Sequence, residues 1–131
     1  SIIETTRRTG TIISHRGFPK QTYGRRISAS LRITGLKSNI AATILFVKFS
    51  SKFDVFASDA RKSCEIADDV LYIGDENSPP YSDYCNNEMP DINVWTRHAV
   101  DSDEFIFTFA LSTSLPSATR AVGFYLQYSG E

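Results

Sequence analysis

The sequence predicts an all-β fold, an antiparallel sandwich or barrel, and three observations predict it. Apolar residues recur with period two in several short runs, as they do on half-buried strands. Aromatic residues make up 12% of the chain, with nine Phe and six Tyr, and such residues favour strands over helices. Gly, Pro, Asn, Asp and Ser cluster between the apolar runs at the spacing of a sandwich or barrel.

The first strand is read at Gly10–Ser14, ended by the turn-prone Gly17, Phe18 and Pro19. Over Ile27–Ile33, residues Ile27, Ala29, Leu31 and Ile33 share one face, while Ser28, Ser30 and Arg32 take the other. Thr43–Phe49 is a more apolar strand, followed by a polar stretch from Ser50 to Asp69. Val70–Gly74 follows, and Asp75–Pro80 reads as a loop. Val94–Arg97, Phe105–Phe109 and Gly123–Tyr128 complete the set. No helix, repeat or low-complexity segment is evident. Loops at Asp75–Pro80, Arg97–Glu104 and Ser112–Arg120 are long enough to carry recognition.

The 131 residues fit one domain spanning 1–131, with a core over about residues 10–128. No apolar run approaches the roughly 18 residues of a membrane span. No signal peptide is visible and the chain begins at Ser1, so it reads as a processed form or an excised domain. The net charge of −1 hides an asymmetry. Residues 1–50 carry nine Lys or Arg against Glu4, a local charge of +8; residues 51–131 carry five against fourteen acids, −9. Kept apart in space, the basic half would attract sulfated glycans or acidic proteins; intermixed, the charges serve solubility.

Cys64 and Cys85 are the two cysteines, and their spacing matches no zinc or redox signature. Composition leaves open a disulfide, which would imply an oxidising compartment, or two buried thiols.

The order of elements resembles a CUB domain, an extracellular module with a jelly-roll-like sandwich. The resemblance runs from about Gly10 to Tyr128. It rests on Gly10–Ser14 with Gly17, Pro19 and Tyr23; on Phe49 and Phe53; on Cys64; on Asp69, Leu71 and Ile73; on Tyr84, Cys85 and Pro90; and on Phe105, Phe107, Phe109, Gly123, Phe124 and Tyr128. It implies a Cys64–Cys85 disulfide and a secreted or cell-surface location. The chain departs from the pattern at the family's first cysteine pair, which would fall near Thr9 and on Ala29; a usual tryptophan is Leu31. Two residues are inserted between Cys64 and Asp69, and Asp68 replaces a usual aromatic.

Many CUB domains bind calcium at one end of the sandwich. The resemblance puts two of the three acidic ligands at Phe56 and Leu111, leaving Asp69. One carboxylate cannot hold the ion, so no calcium and no other cofactor is expected, with Asp69 a weak candidate. Asp54, Asp68, Asp75 and Glu76 could rebuild an acidic cluster, but solvated loop acids are the simpler reading.

Catalysis has little to draw on. His15 and His98 are the available imidazoles, and Ser14 beside His15 in a strand would point to the opposite face. Asp68 and Asp69 diverge for the same reason, and no glycine loop cradles a phosphate. The expectation is a non-enzymatic recognition module that binds a protein partner. The alternative is a carbohydrate- or glycosaminoglycan-binding domain using the basic first half. Arg7, Arg8, Arg25 and Arg26 flank the first strand and are the candidate basic surface. Tyr81 is the candidate exposed aromatic, Trp95 is expected in the core, and Tyr84 beside the disulfide. Neither nucleic acid nor membrane insertion is expected, and no N-glycosylation sequon is present.

Overall fold

The structure, a computed structural model, describes residues 2–23, 28–35, 43–75, 77, 79–100, 104–112 and 121–130, without the side chain of residue 2. The strands are β1 (Ile2–Thr5), β2 (Thr9–Ile13), β3 (Ala29–Thr34), β4 (Thr43–Asp54), β5 (Val70–Ile73), β6 (Ser82–Tyr84), β7 (Trp95–Val100), β8 (Glu104–Ala110) and β9 (Gly123–Gly130). They form a five-stranded sheet, β1-β3-β8-β5-β6, and a four-stranded sheet, β2-β9-β4-β7. Neighbouring strands run antiparallel except β1 and β3, which run parallel at one sheet edge. Among the described residues the helical content is a 3-10 turn at Cys64–Ile66. None of their helices is long and apolar enough to cross a membrane.

Alternation decides which side chains enter the core. Phe105, Phe107 and Phe109 of β8 are buried and their neighbours are not. Leu45, Val47 and Phe49 of β4 repeat the pattern, as do Phe124, Leu126 and Tyr128 of β9. The inner faces meet through rings: Phe109 lies edge-on to Phe124 at 5.1 Å, and Phe107 is tilted against Tyr128 at 5.8 Å. Burying each such side chain stabilises by about 1.5–3 kcal/mol.

The sequence reading differs from the structure in several places. Of Arg97–Glu104, read as a loop, Arg97–Val100 belong to β7 and Glu104 opens β8, since pairing with β4 extends the strand. β1 and β6 have no alternation of their own to reveal them; each is a short edge strand defined by its partner. β4 continues through the polar Ser50–Lys52 to Asp54; a bulge between Phe49 and Phe53 takes up two extra residues, so Phe53 keeps the inward phase of Phe49 while Ser51 is exposed. Ile27 lies outside the described residues, and β3 begins at Ala29.

Gly123 shows how tightly β2 and β9 close. Its φ is +95°, and a Cβ there would stand 1.8 Å from the Ser14 hydroxyl. Gly123→Ala should therefore destabilise by at least about 2 kcal/mol, through backbone strain and a forced shift of Ser14. Urea unfolding checks this; an unchanged midpoint would refute the packing described.

Candidate functional site

One end of the sandwich is organised by a buried acid, Asp69, and a half-buried one, Asp54. Asp69, fully buried just before β5, accepts from the Tyr23 hydroxyl at 2.6 Å and from the Ser112 N–H at 2.9 Å. The Tyr23 hydroxyl accepts from the Phe56 N–H at 2.9 Å, and the Asp69 N–H donates to the Phe56 carbonyl at 3.2 Å. Asp54 holds a second set: its carboxylate accepts from the Val122 N–H at 3.0 Å and from the Asn86 amide at 2.6 Å. Asn86 in turn pairs with both the N–H and the carbonyl of Val55. Asp68 accepts from the Ser58 N–H, and Asp75 from the Asn77 N–H at 2.9 Å. Glu76 lies outside the described residues.

These carboxylates are spent on different loops and do not converge. Phe56 and Leu111, at the positions where the resemblance puts calcium ligands, are half-buried and packed against the core. Among the described residues, no three His, Cys, Asp or Glu side chains are placed to hold a metal ion. Calcium takes six to eight oxygens, and a single enclosed carboxylate already accepting two donors does not fit it.

Cys64 and Cys85 form a disulfide with their Cα atoms 5.6 Å apart, and both are fully buried. Tyr84 next to it is half-buried, edge-on to Phe49 at 5.6 Å.

Ser14 and His15 correct an expectation. β2 stops at Ile13, so the two residues sit in a bend and their side chains are not forced apart. The Ser14 hydroxyl lies 2.8 Å from His15 Nδ1, and His15 Nε2 lies 2.6 Å from the Gln21 carbonyl. A carbonyl only accepts, so Nε2 carries the proton and Ser14 donates to Nδ1. Ser14 Oγ also accepts from the Phe124 N–H at 3.0 Å. Both residues border an apolar cleft of about 450 Å³ between the sheet edges, lined also by Ile12, Leu31, Phe107 and Phe109. The pair has a serine and a base, but a backbone carbonyl stands where a triad has its carboxylate.

The candidate binding residues scatter. Arg7 and Arg8 are exposed where the chain enters β2. Arg25 and Arg26 lie outside the described residues. Tyr81 is half-buried, edge-on to Tyr72 at 5.7 Å, and so is not a free anchor. Trp95, expected in the core, is 49% exposed, because its register partner Lys48 points outward from β4. Charge separates by sheet. The five-stranded sheet shows Glu4, Glu104 and Asp83 outside, with Arg32 paired to Glu4 at 2.8 Å and to Glu104 at 3.1 Å. Burial, then Glu88 and Glu65, push the Asp83 carboxyl above the usual carboxylate range.

This strand order and single bridge define a CUB-type β-sandwich. The chain is similar to the CUB1-EGF-CUB2 region of rat MASP-1, at 19% identity and a TM-score of 0.67, and to that of human MASP-1/3, at 19% and 0.63. It is covered completely in both but spans only 43% and 42% of those longer chains. The MASP-1 CUB2 domain, solved bound to Ca2+, matches 97% of this chain and 96% of its own length, at 18% identity and a TM-score of 0.62. No protein-family model and no curated protein sequence matches.

Tyr23→Phe removes a buried donor from Asp69 and a buried acceptor from Phe56. It should cost about 3 kcal/mol or more, against under about 0.5 kcal/mol for Tyr125→Phe on the sheet exterior, both read by urea unfolding. Burial pushes the His98 imidazole below the usual histidine range. The unfolded chain thus takes up the proton first as pH falls. His98 costs nothing above the ordinary value of 6.5 and costs stability progressively below it. His98→Gln should lose less stability than the parent between pH 7 and pH 5.

Proposed function

We propose that this chain is a non-catalytic extracellular recognition module, one domain of a secreted or cell-surface protein, that binds a protein partner without calcium. The CUB-type sandwich closed by the Cys64–Cys85 bridge carries the reading. A buried disulfide suits an oxidising compartment. The Ser14–His15 pair supports a structural role. Its histidine is held by a carbonyl, and its serine is tied to the β9 backbone, so neither is free to activate a nucleophile.

The calcium-dependent grip on a basic partner side chain, which the resemblance implies for many CUB domains, has no ligand set among the described residues. Recognition then falls to other surfaces. Calorimetric titration with calcium should show no binding up to about millimolar concentration, the range of weak extracellular calcium modules. Micromolar binding abolished by Asp69→Asn would overturn the reading. A fluorophosphonate probe should leave Ser14 unlabelled in the intact protein; stoichiometric labelling would make the chain an enzyme.

A further inference from the structure

The outer face of the four-stranded sheet is unlike any other surface of the molecule. Alternation and register place one row across its strands at Thr11, Gln127, Lys48 and Trp95. The adjacent row runs Thr9, Ser129, Phe46 and Arg97, with exposed Arg8 at its β2 end. Over β2, β9, β7 and the Thr43–Phe53 part of β4 these strands carry no carboxylate; Asp54, at the end of β4, is taken up by the Val122 N–H and the Asn86 amide. Lys48 and Arg97 make no ion pair among the described residues, whereas Arg32 on the opposite sheet makes two. Lys48 Nζ stands 5.5 Å from the Trp95 ring centre, on an edge strand where the indole is half exposed.

We propose that this face binds a sulfated polysaccharide laid across the strands. Cations stand at both ends of a strip spanning three inter-strand steps, about 14 Å, with hydroxyl and amide side chains between them. An anionic polymer with a hydroxyl-rich backbone complements such a strip. An acidic protein fits it less well: Trp95 and Ile13 are about half exposed here beside the half-covered Ile44 and Phe46, but Lys48 and Arg97 interrupt them, whereas the core of a protein interface is depleted of charge. With no carboxylate in either row, the strip also escapes the repulsion that the opposite sheet would impose. This inference is independent of the protein-partner reading, which would stand without it.

Heparin is the probe. The protein should be retained on heparin resin at about 0.15 M salt, with log affinity falling linearly against log salt. Titrated heparin should shift Trp95 fluorescence, the single tryptophan in the chain. Unsulfated hyaluronan should do neither. Lys48→Glu with Arg97→Glu should weaken heparin binding by about tenfold or more, and Arg61→Glu, far from the face, should not. Lys48→Gln with Arg97→Gln, folded by circular dichroism, gives the same test with a gentler change. No retention of the parent protein would overturn the proposal, as would unchanged binding in either double variant. Equal retention on a polyglutamate resin would overturn the assignment to sulfated sugar.

Discussion

The end of the sandwich depends on one buried carboxylate. Asp69 joins the segment before β3 through Tyr23, the exit of β4 through Phe56, its own entry into β5, and the exit of β8 through Ser112. Chain reversals leave backbone N–H groups that no ladder can satisfy, and leaving them buried costs more than a typical hydrogen bond returns. Asp69 answers that need from inside, and Asp54 does the same for Val122 and, through Asn86, for Val55. An acid used in this way spends its oxygens on the backbone, and Asp69 is closed off from solvent as well.

A chain of rings carries that rigidity along the molecule. Tyr23 packs on Phe109 at 5.1 Å, Phe109 on Phe124 at 5.1 Å, Phe124 on Phe53 at 6.2 Å, Phe53 on Phe49 at 5.5 Å and Phe49 on Tyr84 at 5.6 Å. The path crosses both sheets and ends one residue from the Cys64–Cys85 bridge. Phe53 joins it because the bulge after Phe49 takes up two residues and so keeps the phase of β4. A polar run that looks like a loop thus carries the strand on without turning its second aromatic outward.

Most strands were legible because their alternation is local. Phe105, Phe107 and Phe109 announce a buried face whatever lies beside them, and the order of such runs with the two cysteines pointed to the CUB-type sandwich. What was not legible depends on partners distant in sequence. β1 is a strand because β3 runs parallel to it, and Trp95 is exposed because Lys48, its cross-strand partner, is on the outward phase of β4. Ser14 and His15 were misread for a different reason. Their divergence assumed that the strand continued, and β2 ends one residue earlier.

The charge asymmetry shows the limit most clearly. Counting along the chain divides it at residue 50, but topology shuffles the halves. Glu4 and Arg32 of the basic half lie with Glu104 on the five-stranded sheet, while Arg97 of the acidic half joins Lys48 on the other. Among the described residues, the strand-borne charges follow the sheets rather than the sequence. Since strand order interleaves distant segments, any charge patch on such a sandwich is assembled from alternate residues of several strands. A stretch without carboxylates over β2, β9, β7 and the Thr43–Phe53 part of β4 therefore needs four separate segments to agree, while Asp54 at the end of β4 is taken up by the Val122 N–H where the chain enters β9.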